Sequence, residues 1–191
     1  IAAKVTKPLS RGRLAELRKA CDATPVTGAM RIDVDKLNGE DALAKIRALK
    51  PKAVFVASTG MLRRPLLEAC ACPVVNYHSG INPAYRGVNG GYFALANGEP
   101  EHFGVTLHLV DLGVDTGPIL ATNRILLAAN DNIQTYMTLM AAKSQDLVVD
   151  TMAKVLAGEA TPLPPSSLPS AQYYAPTLGQ YLTNGLKRGV W

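Results

Sequence analysis

Apolar positions along this chain recur at helical spacing in some stretches and form short continuous runs in others. Leu14, Leu17 and Cys21 fall on one face between Arg11 and Cys21, and Ala42, Ile46 and Leu49 do the same between Gly39 and Leu49. Two amphipathic helices are predicted there. Ala53 to Ala57 is a continuous apolar run bounded by Pro51 and Gly60, and Val74 to His78 is a second. Such runs suit strands buried on both faces of a parallel sheet. Gly104 to Val110 and Pro118 to Leu127 read as two more strands joined by the loop from Asp111 to Gly117. From Asp131, placed to cap a helix, Ile133, Met137, Met140, Ser144, Leu147, Val148, Met152 and Val155 recur at three and four, with Leu147 and Val148 the one adjacent pair. The spacing predicts one long helix ending at Gly158. Helices alternating with buried strands predict an α/β layered domain, in which ligands bind beyond the carboxyl ends of the strands.

The candidate chemistry lies at those ends. Asn76 and His78 stand two residues apart, so their side chains project to one side of the strand. Asp115 lies on the loop between the next two predicted strands, at the rim of the same cleft. An amide N–H can stabilise the oxyanion of a tetrahedral intermediate, an imidazole can relay a proton, and a carboxylate can fix the imidazole tautomer. That set suits acyl transfer. His108, within the strand from Val105 to Val110, is either a supporting group or a structural histidine.

The text around these residues narrows the reading. Gly60-Met61-Leu62-Arg63-Arg64-Pro65, Pro73-Val74-Val75-Asn76-Tyr77-His78, Pro83-Ala84-Tyr85-Arg86-Gly87, Gly104-Val105-Thr106-Leu107-His108 and Asp111-Leu112-Gly113-Val114-Asp115-Thr116-Gly117-Pro118-Ile119-Leu120 follow one another in order. Together they resemble the folate-dependent formyltransferases, whose members act on glycinamide ribonucleotide, methionyl-tRNA or nucleotide-linked amino sugars with 10-formyltetrahydrofolate as donor. The resemblance implies a Rossmann-like, mostly parallel sheet flanked by helices. It makes Asn76, His78 and Asp115 the catalytic residues. It assigns Met61, Leu62 and Arg63 to the grip on the donor's pterin ring, with Val110, Asp111, Leu112, Gly113 and Val114 closing over its other edge, through main-chain contacts.

Two departures from the family's text bear on the acceptor. Where relatives follow the histidine with one variable residue and Ser-Leu-Leu-Pro, this chain has Ser79 and then Gly80-Ile81-Asn82-Pro83. Gly80 admits backbone angles that serine does not, and Asn82 adds a hydrogen-bonding side chain near the site. Arg86 could meet a phosphate or glutamate tail by a bidentate fork, or stand as a solvated surface arginine. Gly90-Gly91-Tyr92 admits close approach of a ligand, or is a plain turn before a core tyrosine. The second departure is the start: the chain opens at Ile1-Ala2-Ala3-Lys4-Val5, so the family's first strand, glycine turn and helix are expected to be missing.

Length and composition change little. With 191 residues, 48% of them apolar and 18% charged, one substantial core is expected. The expected division is a catalytic domain at 1–160 and a proline-rich extended tail at 161–191, laid over the domain or a partner subunit or else disordered, with Tyr173, Tyr174, Tyr181 and Trp191 as its apolar area. No run reaches the ~18 apolar residues of a membrane span, and a cytoplasmic location is expected. Cys21, Cys70 and Cys72 lack paired metal-ligand spacing, so neither a disulfide nor a metal site is predicted. The net charge of +5 favours anionic ligands without naming one.

The function expected from the sequence is formyl transfer to a primary amine of a small molecule, with an amino sugar on a nucleotide preferred. The reasons are the altered loop and the lack of an appended nucleic-acid-binding domain; nucleic acid is therefore not an expected partner, and a homodimer is compatible with the apolar tail. The alternatives are a glycinamide ribonucleotide or methionyl-tRNA formyltransferase, a hydrolase releasing formate from the same folate, and a non-catalytic folate-binding module.

Overall fold

The computed structural model describes residues 10–21 and 27–191. The helical periodicities emerge as α1 (Arg11–Ala20) and α2 (Glu40–Leu49), and the apolar runs as β1 (Val54–Ala57) and β2 (Val74–His78), joined by α3 (Arg64–Cys70). Next come β3 (Arg86–Gly87), α4 (Gly90–Ala96), a 3-10 turn at Pro100–His102, β4 (Gly104–Leu109) and β5 (Ile119–Arg124). The chain closes with α5 (Tyr136–Lys143), α6 (Gln145–Ala157), β6 (Gln172–Tyr173) and α7 (Leu178–Arg188). The opening residues Ile1 to Val5 lie outside the described part.

The main sheet has the order β1-β2-β4-β5. β1 and β2 run parallel, with α3 as their crossover, whereas β4 runs antiparallel to β2 and β5 antiparallel to β4. The α/β layering holds, and within this four-stranded sheet the parallel pair is β1 with β2. β4 and β5 form a hairpin because the 111–117 loop is too short for a crossover. One face carries Val56 and Val74 against Leu43, Leu66 and Cys70 of α2 and α3. The other buries Val75 and Leu107 against Val155 of α6. Burial on both faces holds for β2 but not for β1, where Phe55 stays 39% exposed, since β1 ends the described sheet and is bonded to β2 alone.

The expected single helix after Asp131 is two helices. Ser144 leaves the helical region (φ −127°, ψ 13°), and the Asn123 amide of β5 donates to the Lys143 carbonyl at 2.7 Å, satisfying a helix-end acceptor. Both segments keep their apolar faces on the core, so the periodicity runs through the break. Asp131 is not the cap either. Its carboxylate receives Arg13 Nε and Nη2 at 2.9 and 3.0 Å, the Ala128 N–H at 2.9 Å and the Thr135 hydroxyl at 3.0 Å. Gly158 does end α6, in the left-handed conformation.

The extended tail is likewise corrected. It contains α7, whose N-terminus is closed by a capping box of Thr177 and Gln180. Tyr181 and Val190 enter the core beside Tyr92 and Tyr136, and the Asn184 amide donates to the Tyr92 hydroxyl at 3.0 Å. Upstream, β6 pairs in parallel with β3, and Tyr173 stacks on both Tyr85 and Phe93 at 5.3 and 4.6 Å.

Candidate active site

The strand register assembles the site. Asn76 lies opposite His108 and His78 opposite Thr106 across β2 and β4. Directly opposed residues share a face, so both pairs project together beyond the sheet. Asn76 Nδ2 lies 3.1 Å from His108 Nε2 and donates to Asp115 Oδ1 at 3.0 Å. His108 Nε2 is itself 3.3 Å from that oxygen, and His78 Nδ1 is 3.3 Å from Asp115 Oδ2.

Asp115 owes its place to a loop that folds on its own side chains. Asp111 accepts the Gly113 N–H at 3.0 Å and the Thr116 hydroxyl at 2.8 Å. A Cβ at Gly117 would run into the Leu109 carbonyl oxygen. Asp115 adopts a left-handed φ of 51°, which Asp and Asn tolerate better than other non-glycine residues. Its Oδ2 accepts the Gly87 N–H at 2.8 Å, and its main-chain carbonyl accepts the Asn82 amide at 3.0 Å.

These contacts set the charges. Burial pushes the Asp115 carboxyl up, but hydrogen bonding from His108, the positive charge His78 can carry and the Gly87 N–H outweigh it, leaving the pKa below the ordinary carboxylate value. Burial pushes the His78 imidazole below its ordinary value, against the opposing pull of Asp115 and the Tyr85 carbonyl. The pair therefore rests as a carboxylate beside a neutral imidazole.

The cluster forms one wall of a cavity of about 330 Å³, lined also by Val56, Leu62 and Val110. Of the residues the resemblance assigns to the donor, Met61, Leu62, Val110, Asp111, Gly113 and Val114 line it, whereas Arg63 and Leu112 do not. Arg63 instead offers its main-chain N–H to Asn38 Oδ1 at 2.8 Å, while the Asn38 amide donates to the Met61 carbonyl at 2.9 Å. Asn38 thus clamps the 61–63 loop from 25 residues away in sequence, a tie no local pattern signals.

Three expectations change. Arg86 contacts its own fold: Nη1 donates to the Val114 carbonyl at 2.8 Å and Nε to Ser170 at 3.0 Å. Asn82 is 3% exposed and its amide supports Asp115. Gly80 is needed for close approach, not for its angles, because its φ is not positive while a Cβ there would run into the Tyr85 carbonyl oxygen. Gly90 and Gly91 serve packing too, against Tyr85, Met140 and Phe103. His108, left open by the sequence, belongs to the cluster; its seating opposite Asn76 is the signal that strand pairing adds.

An amide, two imidazoles and a carboxylate meet on the wall of a cavity on an α/β sheet, an arrangement that can support acyl-group transfer. The chain belongs to the formyl transferase family, whose model matches residues 2–152. A methionyl-tRNA formyltransferase of Levilactobacillus brevis is 30% identical over 182 residues, taking in 93% of this chain and 57% of that protein. One from a Synechococcus strain is 34% identical over 139 residues, 72% of this chain and 42% of that protein. The chain thus spans about half the length of these curated relatives. Among solved structures, a likely sugar N-formyltransferase from Mycobacterium tuberculosis matches with a TM-score of 0.60 at 20% identity, over 90% of this chain and 80% of that one. A formyltransferase from Anoxybacillus kamchatkensis, in complex with a UDP-linked formamido sugar and tetrahydrofolate, matches with a TM-score of 0.60 at 16% identity, over 91% and 86%. At those identities the two structures speak for the fold alone. Among the described residues no helix is long and apolar enough to cross a membrane.

Proposed function

We propose that this chain carries the catalytic part of a formyltransferase, moving a formyl group from 10-formyltetrahydrofolate to a primary amine. The observation that carries the reading is the meeting of Asn76, His78, His108 and Asp115 on one cavity wall.

The cavity suits the donor. Its volume lies in the range of small-molecule sites, and Val56, Leu62 and Val110 give it an apolar lining beside the polar cluster, as a flat ring with polar edges requires. Bound there, the folate supplies the activated formyl carbon and departs with the electron pair of its C–N bond. The chain's own residues handle charge and protons. His78, neutral at rest, takes the proton of the attacking amine, Asp115 stabilises the imidazolium that results, and that imidazolium returns the proton to the departing folate nitrogen. Asn76 donates to the formyl oxygen as charge builds on it. Its amide donates to Asp115 Oδ1 at rest, and His108 Nε2 lies 3.1 Å from the same nitrogen.

On the acceptor, the structure weakens the grounds for the amino sugar. Gly80 and Asn82 are explained by internal contacts, Arg86 is engaged, and a chain half the length of its relatives says nothing about appended domains. The curated relatives are methionyl-tRNA formyltransferases, which supports the aminoacyl amine of methionyl-tRNA as the first acceptor to test, with a nucleotide-linked amino sugar second.

The test is tetrahydrofolate release from 10-formyltetrahydrofolate by the full-length protein, with methionyl-tRNA, nucleotide-linked amino sugars and glycinamide ribonucleotide offered in turn. Release that depends on one amine supports the reading and names the acceptor. Release without any amine replaces it with a hydrolase, and folate binding without release replaces it with a binding module.

A further inference from the structure

His78 relays a proton through one of two nitrogens, and the surrounding backbone decides which. Its Nε2 lies 2.6 Å from the Tyr85 carbonyl oxygen. A carbonyl oxygen only accepts, so Nε2 bears the hydrogen. The other nitrogen, Nδ1, faces Asp115 Oδ2 at 3.3 Å. A carboxylate orients a neutral imidazole only by accepting a hydrogen from it; in the resting pair the hydrogen lies on the far side, on the backbone.

The Tyr85 carbonyl reaches His78 because two side chains are absent. A Cβ at Gly80 would run into that carbonyl oxygen and stand 2.6 Å from His78 Nε2, and a Cβ at Gly90 would run into the same oxygen. Glycine at 80 is where this chain leaves the family's common text. Tyr85 itself is held firmly: it is 2% exposed, its ring stacks on Tyr173 at 5.3 Å, and its hydroxyl donates to Glu99 at 2.6 Å. Two residues on, the Gly87 N–H donates to Asp115 Oδ2 at 2.8 Å. The main-chain N–H groups of Arg86 and Val88 donate to the Ala171 and Tyr173 carbonyls at 3.0 and 2.9 Å. One turn, tied down by the C-terminal segment, thus holds both members of the His78 and Asp115 pair.

We propose that the Tyr85 carbonyl, admitted by Gly80 and Gly90, is the positioning group that holds His78 as the Nε2–H tautomer, so that Nδ1 takes up the reaction's proton and Asp115 meets the resulting charge. The placement of the hydrogen stands on geometry; its use in catalysis rests on the formyl-transfer reading. The charged and titratable groups facing His78 are Asp115, which favours its protonation, and His108 and Arg86, which oppose it.

The test is the long-range 1H–15N spectrum of the histidines in the full-length protein at pH 7.5, with the His78 signals identified by their loss in His78→Gln. A protonated Nε2 and bare Nδ1 support the inference; a hydrogen on Nδ1, or an imidazolium, overturns it. Gly80→Ser should lose this pattern and lower kcat by roughly 10²-fold, the scale of a misplaced acid–base group, with the donor's KM within about threefold, since Gly80 is not on the cavity wall. An unchanged spectrum and kcat in Gly80→Ser would reject the role given to Gly80. Should that variant fail to fold, the wild-type spectrum still decides. A chain that shows the Nε2–H tautomer yet releases no tetrahydrofolate with any amine would refute the proposed function while leaving the tautomer assignment standing.

Discussion

Asp115→Asn isolates charge from shape. The left-handed φ of 51° at this position would strain most replacements, but asparagine tolerates it about as well as aspartate, so the backbone stays put. What is lost is the charge facing His78. With Nδ1 and Oδ2 3.3 Å apart, an effective dielectric of about 20 gives an attraction of about 5 kcal/mol for the imidazolium and carboxylate. The amide dipole keeps part of this. A remaining loss of about 3 to 5 kcal/mol at the transition state corresponds to a kcat lower by roughly 10² to 10⁴. Stability should change far less: the asparagine oxygen can still accept from Gly87 or from Asn76 but not from both, a loss of about 1 kcal/mol, or roughly 2–4 °C in Tm. The assay is amine-dependent tetrahydrofolate release under single turnover, alongside thermal unfolding. A folded Asp115→Asn protein with kcat within threefold of the parent would refute the role given to the carboxylate.

The neutral state of His78 sets the pH dependence. Because burial lowers its pKa below the ordinary 6.5, the basic form persists to lower pH, and kcat should fall with acidification through a midpoint under 6.5; a midpoint above 7 would contradict the assignment. Stability follows the same sign: it is retained above pH 6.5 and lost as pH falls through the depressed value, because the unfolded chain then binds the proton more readily, and unfolding scanned against pH measures it. Arg13→Ala should lower stability by about 1.5–3 kcal/mol, since the Asp131 side chain, which is 0% exposed, loses its ionic partner and keeps the bonds from Ala128 and Thr135, and a calorimetric Tm drop of less than roughly 3 °C would count against that. Asn38→Ala releases the 61–63 loop from two hydrogen bonds and should raise the KM for 10-formyltetrahydrofolate by about tenfold, at about 1 kcal/mol each less partial compensation by water, with kcat within twofold; a large fall in kcat at constant KM would show that Asn38 serves the chemistry instead.

Local periodicity carried α1, α2, β2 and the β4–β5 hairpin correctly, because each is specified by apolar spacing within a dozen residues. It failed where the deciding contact is distant. The break at Ser144 depends on Asn123 from β5, and the two helices it separates share one apolar face, so the pattern runs through. α7 carries a capping box at Thr177 and Gln180 that the surrounding prolines obscured. Arg86 stayed open between an anion ligand and a solvated surface arginine, because its partners, Val114 and Ser170, come from segments 28 and 84 residues away.

The sequence by itself determined the kind of site: an amide, an imidazole and a carboxylate at strand ends, within a text that resembles one family. Side-chain chemistry and period-two projection are properties of the residues and need no fold to state them. Only the tertiary structure decided how those groups are wired. The β2 and β4 register seats His108 against Asn76, the 85–87 turn meets both His78 and Asp115, and the C-terminal segment holds that turn in place. Each of these contacts depends on a main-chain group, and main-chain groups are the same at every residue. The order of side chains cannot name them until the chain has closed on itself.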